Sequence, residues 1–212
     1  MKIDVAALRE EYSGADLDID SAEQSPFAQF KKWFEEAVSG ELLEPNAMVL
    51  STQGDRFPDQ RTVLMKAYDE KGIVFYTNYK SNKAQQIDKK PKVSILFPWY
   101  GLHRQVKVLG KATKVSTTES LAYFTSRPFG SQLGAWVSHQ SEVISSRSIL
   151  EMKLAEMKEK FKSGKVPLPD FWGGYRVEPE AFEFWQGRPN RLHDRLLYEK
   201  TGGDWTIKRL SP

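Results

Sequence analysis

The sequence contains no cysteine, so it can form no disulfide, thiolate metal site or thiol nucleophile. That absence fits a reducing compartment. Histidine is scarce: His103, His139 and His193 stand far apart, and none belongs to a metal-ligand spacing such as HExxH, so no metal is expected. No apolar run approaches the ~20 residues needed to cross a bilayer. The amino terminus, Met1-Lys-Ile-Asp-Val, lacks the apolar core of a signal peptide. A soluble, cytoplasmic protein without membrane contact is therefore expected. Excess charge is lacking too: 31 Lys+Arg stand against 28 Asp+Glu, a net +3, which is too even for a nucleic-acid coat. Glycine-rich phosphate loops of the GxGxxG and Walker types and the GxSxG elbow are all missing.

What is present is concentrated near the end of the chain, in Trp185-Gln-Gly-Arg188-Pro-Asn-Arg191-Leu192-His193-Asp-Arg195. Arginines this close repel one another unless an anion sits among them, and planar guanidinium groups suit phosphate. Trp185 offers a flat apolar face, and His193 is the one side chain here that ordinarily titrates near neutrality. A solvated basic turn explains the segment equally well.

The rest of the chain, 212 residues long, is enough for one domain with a proper core. Residues 1–25 are polar and acidic, with weak helical character around Ala6–Tyr12, and read as a flexible arm. Pro26 opens a helix with Phe27, Phe30, Trp33, Phe34 and Val38 at helical spacing and Gly40 as its stop. The period then changes to that of strands: 47–52, 61–68, 73–77, 92–97 and 103–109, joined by tight turns as in an antiparallel meander. Arg61 and Lys66 are five apart and would face opposite sides of a regular strand, so both reach one ligand only across a bulge or a strand end. Edge charges that keep a sheet soluble are the ordinary explanation.

Ser81 is placed as N-cap of a short helix carrying Lys83, an anion-site geometry that ordinary capping explains as well. Gln105 sits on an alternating strand where it could meet a heterocycle's edge. Ser116-Thr-Thr-Glu119 is a capping box. Tyr123, Arg127 and Ser131 recur every four residues; on continuous helix they would form a phosphate-holding face, but Pro128 interrupts the hydrogen bonding. Gln140-Ser141 lies in the polar loop beyond. A helix starting at Ser145 or Ser146 presents Leu150, Leu154, Met157 and Phe161 on one face. Strands are expected at 174–177 and 181–185, followed by a closing hairpin at 196–198 and 205–208. Many antiparallel strands with a few inserted helices make a β-barrel with helical decoration.

Many segments resemble one family in its own order. They include Arg61-Thr-Val-Leu-Met-Lys66, Val74-Phe-Tyr-Thr-Asn78, Ser94-Ile-Leu-Phe-Pro-Trp99, Gln132-Leu-Gly-Ala-Trp-Val-Ser138, Phe171-Trp-Gly-Gly174, Glu183-Phe-Trp-Gln-Gly187 and Arg191-Leu-His-Asp-Arg195. They are similar to the signature segments of pyridoxine (pyridoxamine) 5′-phosphate oxidases, over about residues 26–212. The resemblance implies an FMN-binding split β-barrel, antiparallel and Greek-key-like, formed by residues 26–212 with the arm before it. It implies a homodimer with FMN at the subunit interface. It implies oxidation of pyridoxine 5′-phosphate or pyridoxamine 5′-phosphate to pyridoxal 5′-phosphate by hydride transfer to flavin N5. O2 would be the terminal acceptor, giving H2O2.

By the same resemblance, FMN contacts fall at Arg61, Thr62, Val63, Leu64, Met65 and Lys66, at Tyr76, Thr77, Lys83 and Gln105, and at Gln140, Ser141, Trp185 and Arg195. Substrate contacts fall at Lys66, Tyr123, Arg127, Ser131, Arg191, Leu192 and His193, with Arg9 and Tyr12 of the arm closing over them. Arg191 and His193 would stand beside the reacting carbon. One departure stands out: where family members usually carry Ser-Arg-Lys, this chain has Ser81-Asn82-Lys83, so an arginine expected at the flavin phosphate is missing. Other readings differ in chemistry. A split-barrel flavoenzyme with another substrate or a deazaflavin would not need the Arg191/His193 and Tyr123/Arg127/Ser131 sets, whereas a non-catalytic flavin or pyridoxal-phosphate binder would hold ligand without turnover. A nucleic-acid-binding barrel would show strongly salt-dependent affinity.

Overall fold

The computed structural model describes residues 3–8, 10–138 and 140–212. The chain divides into two compact units. The first comprises Met1–Val49, Ser94–Leu109 and Pro179–Pro212; the second comprises Leu50–Val93 and Gly110–Glu178. Nine strands run in the hydrogen-bonded order β2-β1-β5-β6-β7-β4-β3, with β8 on β7 and β9 on β8. They are β1 (Ala47–Gln53), β2 (Pro58–Leu64), β3 (Ala67–Asp69), β4 (Gly72–Asn78), β5 (Lys92–Trp99), β6 (Arg104–Lys114), β7 (Trp172–Gln186), β8 (Asp194–Thr201) and β9 (Asp204–Arg209). The architecture is a mainly antiparallel split barrel with a few helices, as the sequence leads one to expect.

In the first unit, helix α1 (Pro26–Ser39) begins where Pro26 supplies a helix-compatible φ and Ser25 Oγ accepts from Phe27 N–H at 3.3 Å. Its buried side carries Phe30 and Trp33. Phe30 packs on Phe97 at 5.1 Å between ring centroids and on Trp99 at 5.9 Å, while Trp33 meets Phe184 edge-on at 5.3 Å. Burying each such aromatic contributes roughly 1.5–3 kcal/mol. Val38, expected on the same stripe, points to solvent at 52% exposure, and Ala37 takes the inner position.

Residues 10–18, part of the segment expected as an arm, make defined contacts. Leu17 is buried and its N–H donates to Asp194 Oδ2 at 3.2 Å, while Arg188 Nη1 donates to Gly14 O at 2.6 Å. Arg209 Nη2 donates to Leu17 O at 3.1 Å and to Asp18 Oδ2 at 2.6 Å. Acidic residues dock here because the end of the chain carries the arginines.

In the second unit the strand expected over 61–68 is broken. β2 stops at Leu64 and β3 starts at Ala67, with Lys66 N–H donating to Val74 O at 2.8 Å in the gap. Helices α2 (Asn82–Lys89), α3 (Thr117–Ser126), α4 (Phe129–Val137) and α5 (Ser148–Lys160) follow. The capping box forms, with Ser116 Oγ accepting from Glu119 N–H at 3.1 Å. Ser81 is the N-cap of α2 by position but makes no capping bond; its hydroxyl donates instead to Asn78 O at 2.7 Å. Phe124, Leu133, Phe161 and Trp172 form a core against which Leu154 and Met157 of α5 pack.

The two strands expected at 174–177 and 181–185 are one, β7. Its first half pairs with β4 (Tyr76 opposite Gly174) and its second half with β8 (Trp185 opposite Arg195). Pro179 falls between the two paired stretches, where those ladders need no N–H from it.

Candidate active site

A cavity of about 700 Å³ opens in the second unit. One wall is β2 with the bend after it, contributing Arg61, Thr62, Val63, Leu64 and Lys66. Because β2 ends at Leu64, strand alternation no longer governs Lys66, and it joins Arg61 at the same cavity. Met65 does not line it; that side chain is 4% exposed. A second wall is β4 and the start of α2, with Tyr76, Thr77, Asn78, Asn82 and Lys83. The third is formed by Tyr123, Arg127 and Ser131, the loop residues Gln140 and Ser141, and Trp172.

The sequence spacing of Tyr123, Arg127 and Ser131 thus brings them together, although not on continuous helix. α3 ends at Ser126 and Arg127 adopts extended backbone before Pro128, from which α4 starts afresh. Three rings form a ladder: Tyr76 stacks on Tyr123 at 4.0 Å and on Trp172 at 5.4 Å. The guanidinium carbon of Arg127 lies 4.7 Å over the Trp172 ring.

The charges are unevenly paired. Arg61 is neutralised by Asp59 at 2.5 Å and also donates to Thr52 Oγ1 and Leu50 O. Among the described residues, no carboxylate pairs with Lys66, Lys83 or Arg127. Lys83 Nζ is buried and donates to Gln140 Oε1 at 3.1 Å and Thr77 Oγ1 at 3.3 Å. Burial, reinforced by the nearby positive charge of Arg61, pushes its pKa down to about 8. Arg127 Nη1 is buried without a hydrogen-bond partner among the described residues, and burial lowers that group's pKa as well. A buried orphan donor and three unpaired cations at one cavity are the signature of a site completed by anions. Asn82 N–H, at the start of α2, points to Ser141 Oγ at 3.3 Å.

The remaining expected residues lie in the first unit. Tyr12 packs on His103 at 4.8 Å, on His193 at 5.6 Å and on Trp185 at 5.8 Å; Trp185 and His193 are 4.6 Å apart. Gly187 is required there, because a Cβ would meet Tyr12 Cγ at 2.8 Å. Arg188 N–H donates to His193 Nδ1 at 3.1 Å, so a neutral His193 carries its proton on Nε2. Burial and the neighbouring Arg191 lower the His193 pKa, which favours that neutral form. Asn190 and Arg191 sit at φ 55 and 60, left-handed backbone that costs a non-glycine residue strain. Leu192 is 69% exposed. Gln105 lies on β6, and Arg195 on β8 is held by Glu183 at 2.8 Å. Arg9 lies outside the described residues.

Trp172 was missed as a site residue. Its signal was the glycine pair that follows: a Cβ at Gly174 would lie 2.8 Å from Tyr76 Cε1, and one at Gly173 only 2.1 Å from Tyr79 Oη. Two glycines after a tryptophan in a strand mark aromatic rings lying flat on the backbone.

Comparison with known proteins gives this geometry a family. Residues 34–161 match the family model described as pyridoxamine 5′-phosphate oxidase, and residues 172–212 match that of the pyridoxine 5′-phosphate oxidase C-terminal dimerisation region. The pyridoxine/pyridoxamine 5′-phosphate oxidase of Crocosphaera subtropica is 61% identical, covering 99% of this chain and 100% of its own. That of Aliarcobacter butzleri is 58% identical, over 99% and 100%. Among solved structures, PhzG from Burkholderia lata, in complex with tetrahydrophenazine-1-carboxylic acid, superposes with a TM-score of 0.89 at 27% identity, over 96% of this chain and 100% of that one. A pyridoxamine 5′-phosphate oxidase-related, FMN-binding protein of Nostoc punctiforme shares the fold, with a TM-score of 0.72 at 16% identity over 90% and 100%. The chain belongs to the pyridoxine/pyridoxamine 5′-phosphate oxidase family.

Proposed function

We propose that this protein is an FMN-dependent oxidase that converts pyridoxine 5′-phosphate or pyridoxamine 5′-phosphate to pyridoxal 5′-phosphate. The observation that carries the proposal is the set of three unpaired cations, Lys66, Lys83 and Arg127, at one cavity that also carries a ladder of flat rings. FMN and a phosphorylated pyridine together bring two phosphates and two ring systems, which fits that donor set.

Lys83, Arg61 and Ser141, with the first N–H groups of α2, would hold the flavin phosphate. Arg127, Ser131 and Tyr123 would hold the substrate phosphate, and Lys66 would complete the charge balance. We place the flavin at the interface of a homodimer, because the matched dimerisation region carries Trp185, Arg191, His193 and Arg195. When bound, FMN would supply the two-electron acceptor, with oxygen as the terminal acceptor and hydrogen peroxide as its product. Arg191 orients the substrate beside the reacting carbon. His193, with Nδ1 engaged by Arg188 N–H, would hold the substrate oxygen or nitrogen through Nε2, the departing O–H or N–H proton passing to water. Tyr12, packed edge-on against His193 and Trp185, excludes water from that face.

The test is the visible spectrum of the FMN-loaded protein on anaerobic addition of pyridoxine 5′-phosphate. Bleaching of the flavin band, reversed by air, is expected. A band that stays unbleached with both this substrate and pyridoxamine 5′-phosphate would overturn the proposal and leave a binder or another flavoenzyme.

A further inference from the structure

Three residues expected at the flavin, Gln105, Trp185 and Arg195, fall on one face of neighbouring strands in the first unit. Trp185 is directly opposite Arg195 across β7 and β8. Gly187 N–H donates to His103 O at 2.7 Å, which lays the start of β6 along the end of β7. Residues two apart on a strand share a face, so Lys107 belongs with Gln105 and Glu183 with Trp185. Glu183 is therefore an acid set into a face otherwise suited to binding a flavin.

That acid is buried, with 8% of its surface exposed, and both its oxygens are taken. Oε1 accepts from Arg195 Nε at 3.0 Å and from Arg195 Nη2 at 2.8 Å, while Oε2 accepts from Lys107 Nζ. Burial alone would raise the Glu183 pKa, but the bonds from Lys107 and Arg195 hold it below the usual carboxylate range. Arg195 Nη1 donates to Ser211 O at 2.8 Å. A guanidinium has five N–H donors; with Nε, Nη1 and Nη2 each used once, two have no partner among the described residues, one on each Nη. Arg195 and Lys107 both keep part of their surface in solvent, so Glu183 is the buried member of the cluster.

We propose that Glu183 is a positioning residue for cofactor binding: it fixes the plane of the Arg195 guanidinium, and holds Lys107 off it, so that the two remaining N–H groups form a preset donor pair for FMN. Fixing the fork in advance lowers the rotamer entropy lost when the ligand binds. Without the carboxylate, two neighbouring cations repel and the arginine swings free. The inference rests on the reading that Arg195 touches FMN, and adds the residue that makes it competent to do so.

Fluorescence titration of the apoprotein with FMN tests it on Glu183→Gln, Arg195→Ala and the double variant. Glu183→Gln is expected to weaken FMN binding roughly tenfold, the size of one charge-assisted hydrogen bond. Arg195→Ala is expected to weaken it at least as much, and the double variant no further than Arg195→Ala alone. Unchanged affinity in Glu183→Gln, or additive losses in the double variant, would overturn the proposal while leaving Arg195 as a contact. Unchanged affinity in Arg195→Ala would remove the underlying reading itself. Should Glu183→Gln yield no folded apoprotein, Glu183→Asp serves. Its shorter carboxylate cannot span both cations, and the same absence of additivity with Arg195→Ala is expected.

Discussion

Lys83 sets how the cavity responds to pH. Its pKa is depressed to about 8 from the usual 10.5 by burial. The unfolded chain therefore binds the extra proton between those values, and the penalty that this side chain places on folding is relieved as pH rises through that window. An incoming phosphate works in the other direction, favouring the charged ammonium. FMN binding near pH 8 is thus expected to take up a proton. Calorimetry in buffers of different ionisation enthalpy reads this directly, and Lys83→Met should abolish the dependence. Beside it, Asn82→Arg is expected to tighten FMN binding by about tenfold or more, since a charge-assisted hydrogen bond contributes ~1.5–3 kcal/mol; equal dissociation constants would contradict this. For Arg127, whose Nη1 has no partner among the described residues, replacement by alanine should raise the substrate KM by tenfold or more with FMN affinity unchanged. Single residues were legible unevenly. Arg127 and Ser131 announced themselves by spacing, whereas Trp172 is a core residue by composition, and its contacts with Tyr76 and Arg127 give it a place at the site.

Among the elements, the arm and the last two strands behave as one piece. Asp194 is their hub: Oδ2 accepts from Leu17 N–H and faces Arg188 Nε at 3.5 Å, while Oδ1 pairs with Arg209 at 2.8 Å. Asp194→Asn weakens both ion pairs, so the Leu17 amide should exchange with solvent faster, as read by hydrogen exchange, and the KM should rise as Tyr12 loosens. Helices and hairpins were readable because caps, turns and periodicity are local. Ser116 with Glu119, and Gly202 and Gly203 at φ 62 and 106 in the final turn, are examples. The break between β2 and β3 was not readable, since it depends on Lys66 N–H finding Val74 O on another strand. Nor was the continuity of β7, because Pro179 looks like a terminator until one sees that neither paired half needs its N–H.

For the whole molecule, the proposed position of the flavin at a subunit interface would make cofactor affinity depend on association. Dilution below the dimer dissociation constant is expected to weaken FMN retention in step with loss of the dimer, as followed by sedimentation and flavin fluorescence. Retention that is independent of protein concentration would argue for a site complete within one chain. The barrel was legible as a class, since alternating strands and short turns leave few alternatives. The division into two units was not, because the first unit is assembled from three separate stretches of sequence.

That discontinuity bears on how the chain is made. The bonds from Arg209 to Leu17 and Asp18 span 192 and 191 positions, and the bond from Arg188 to Gly14 spans 174. The segment around residues 14–18 therefore lacks its Arg188 and Arg209 partners until those residues have left the ribosome. The second unit, whose residues lie between 50 and 178, has its complement earlier. A nascent chain stalled once residue 178 has cleared the ribosome should protect that unit from protease while leaving the segment around Leu17 exposed.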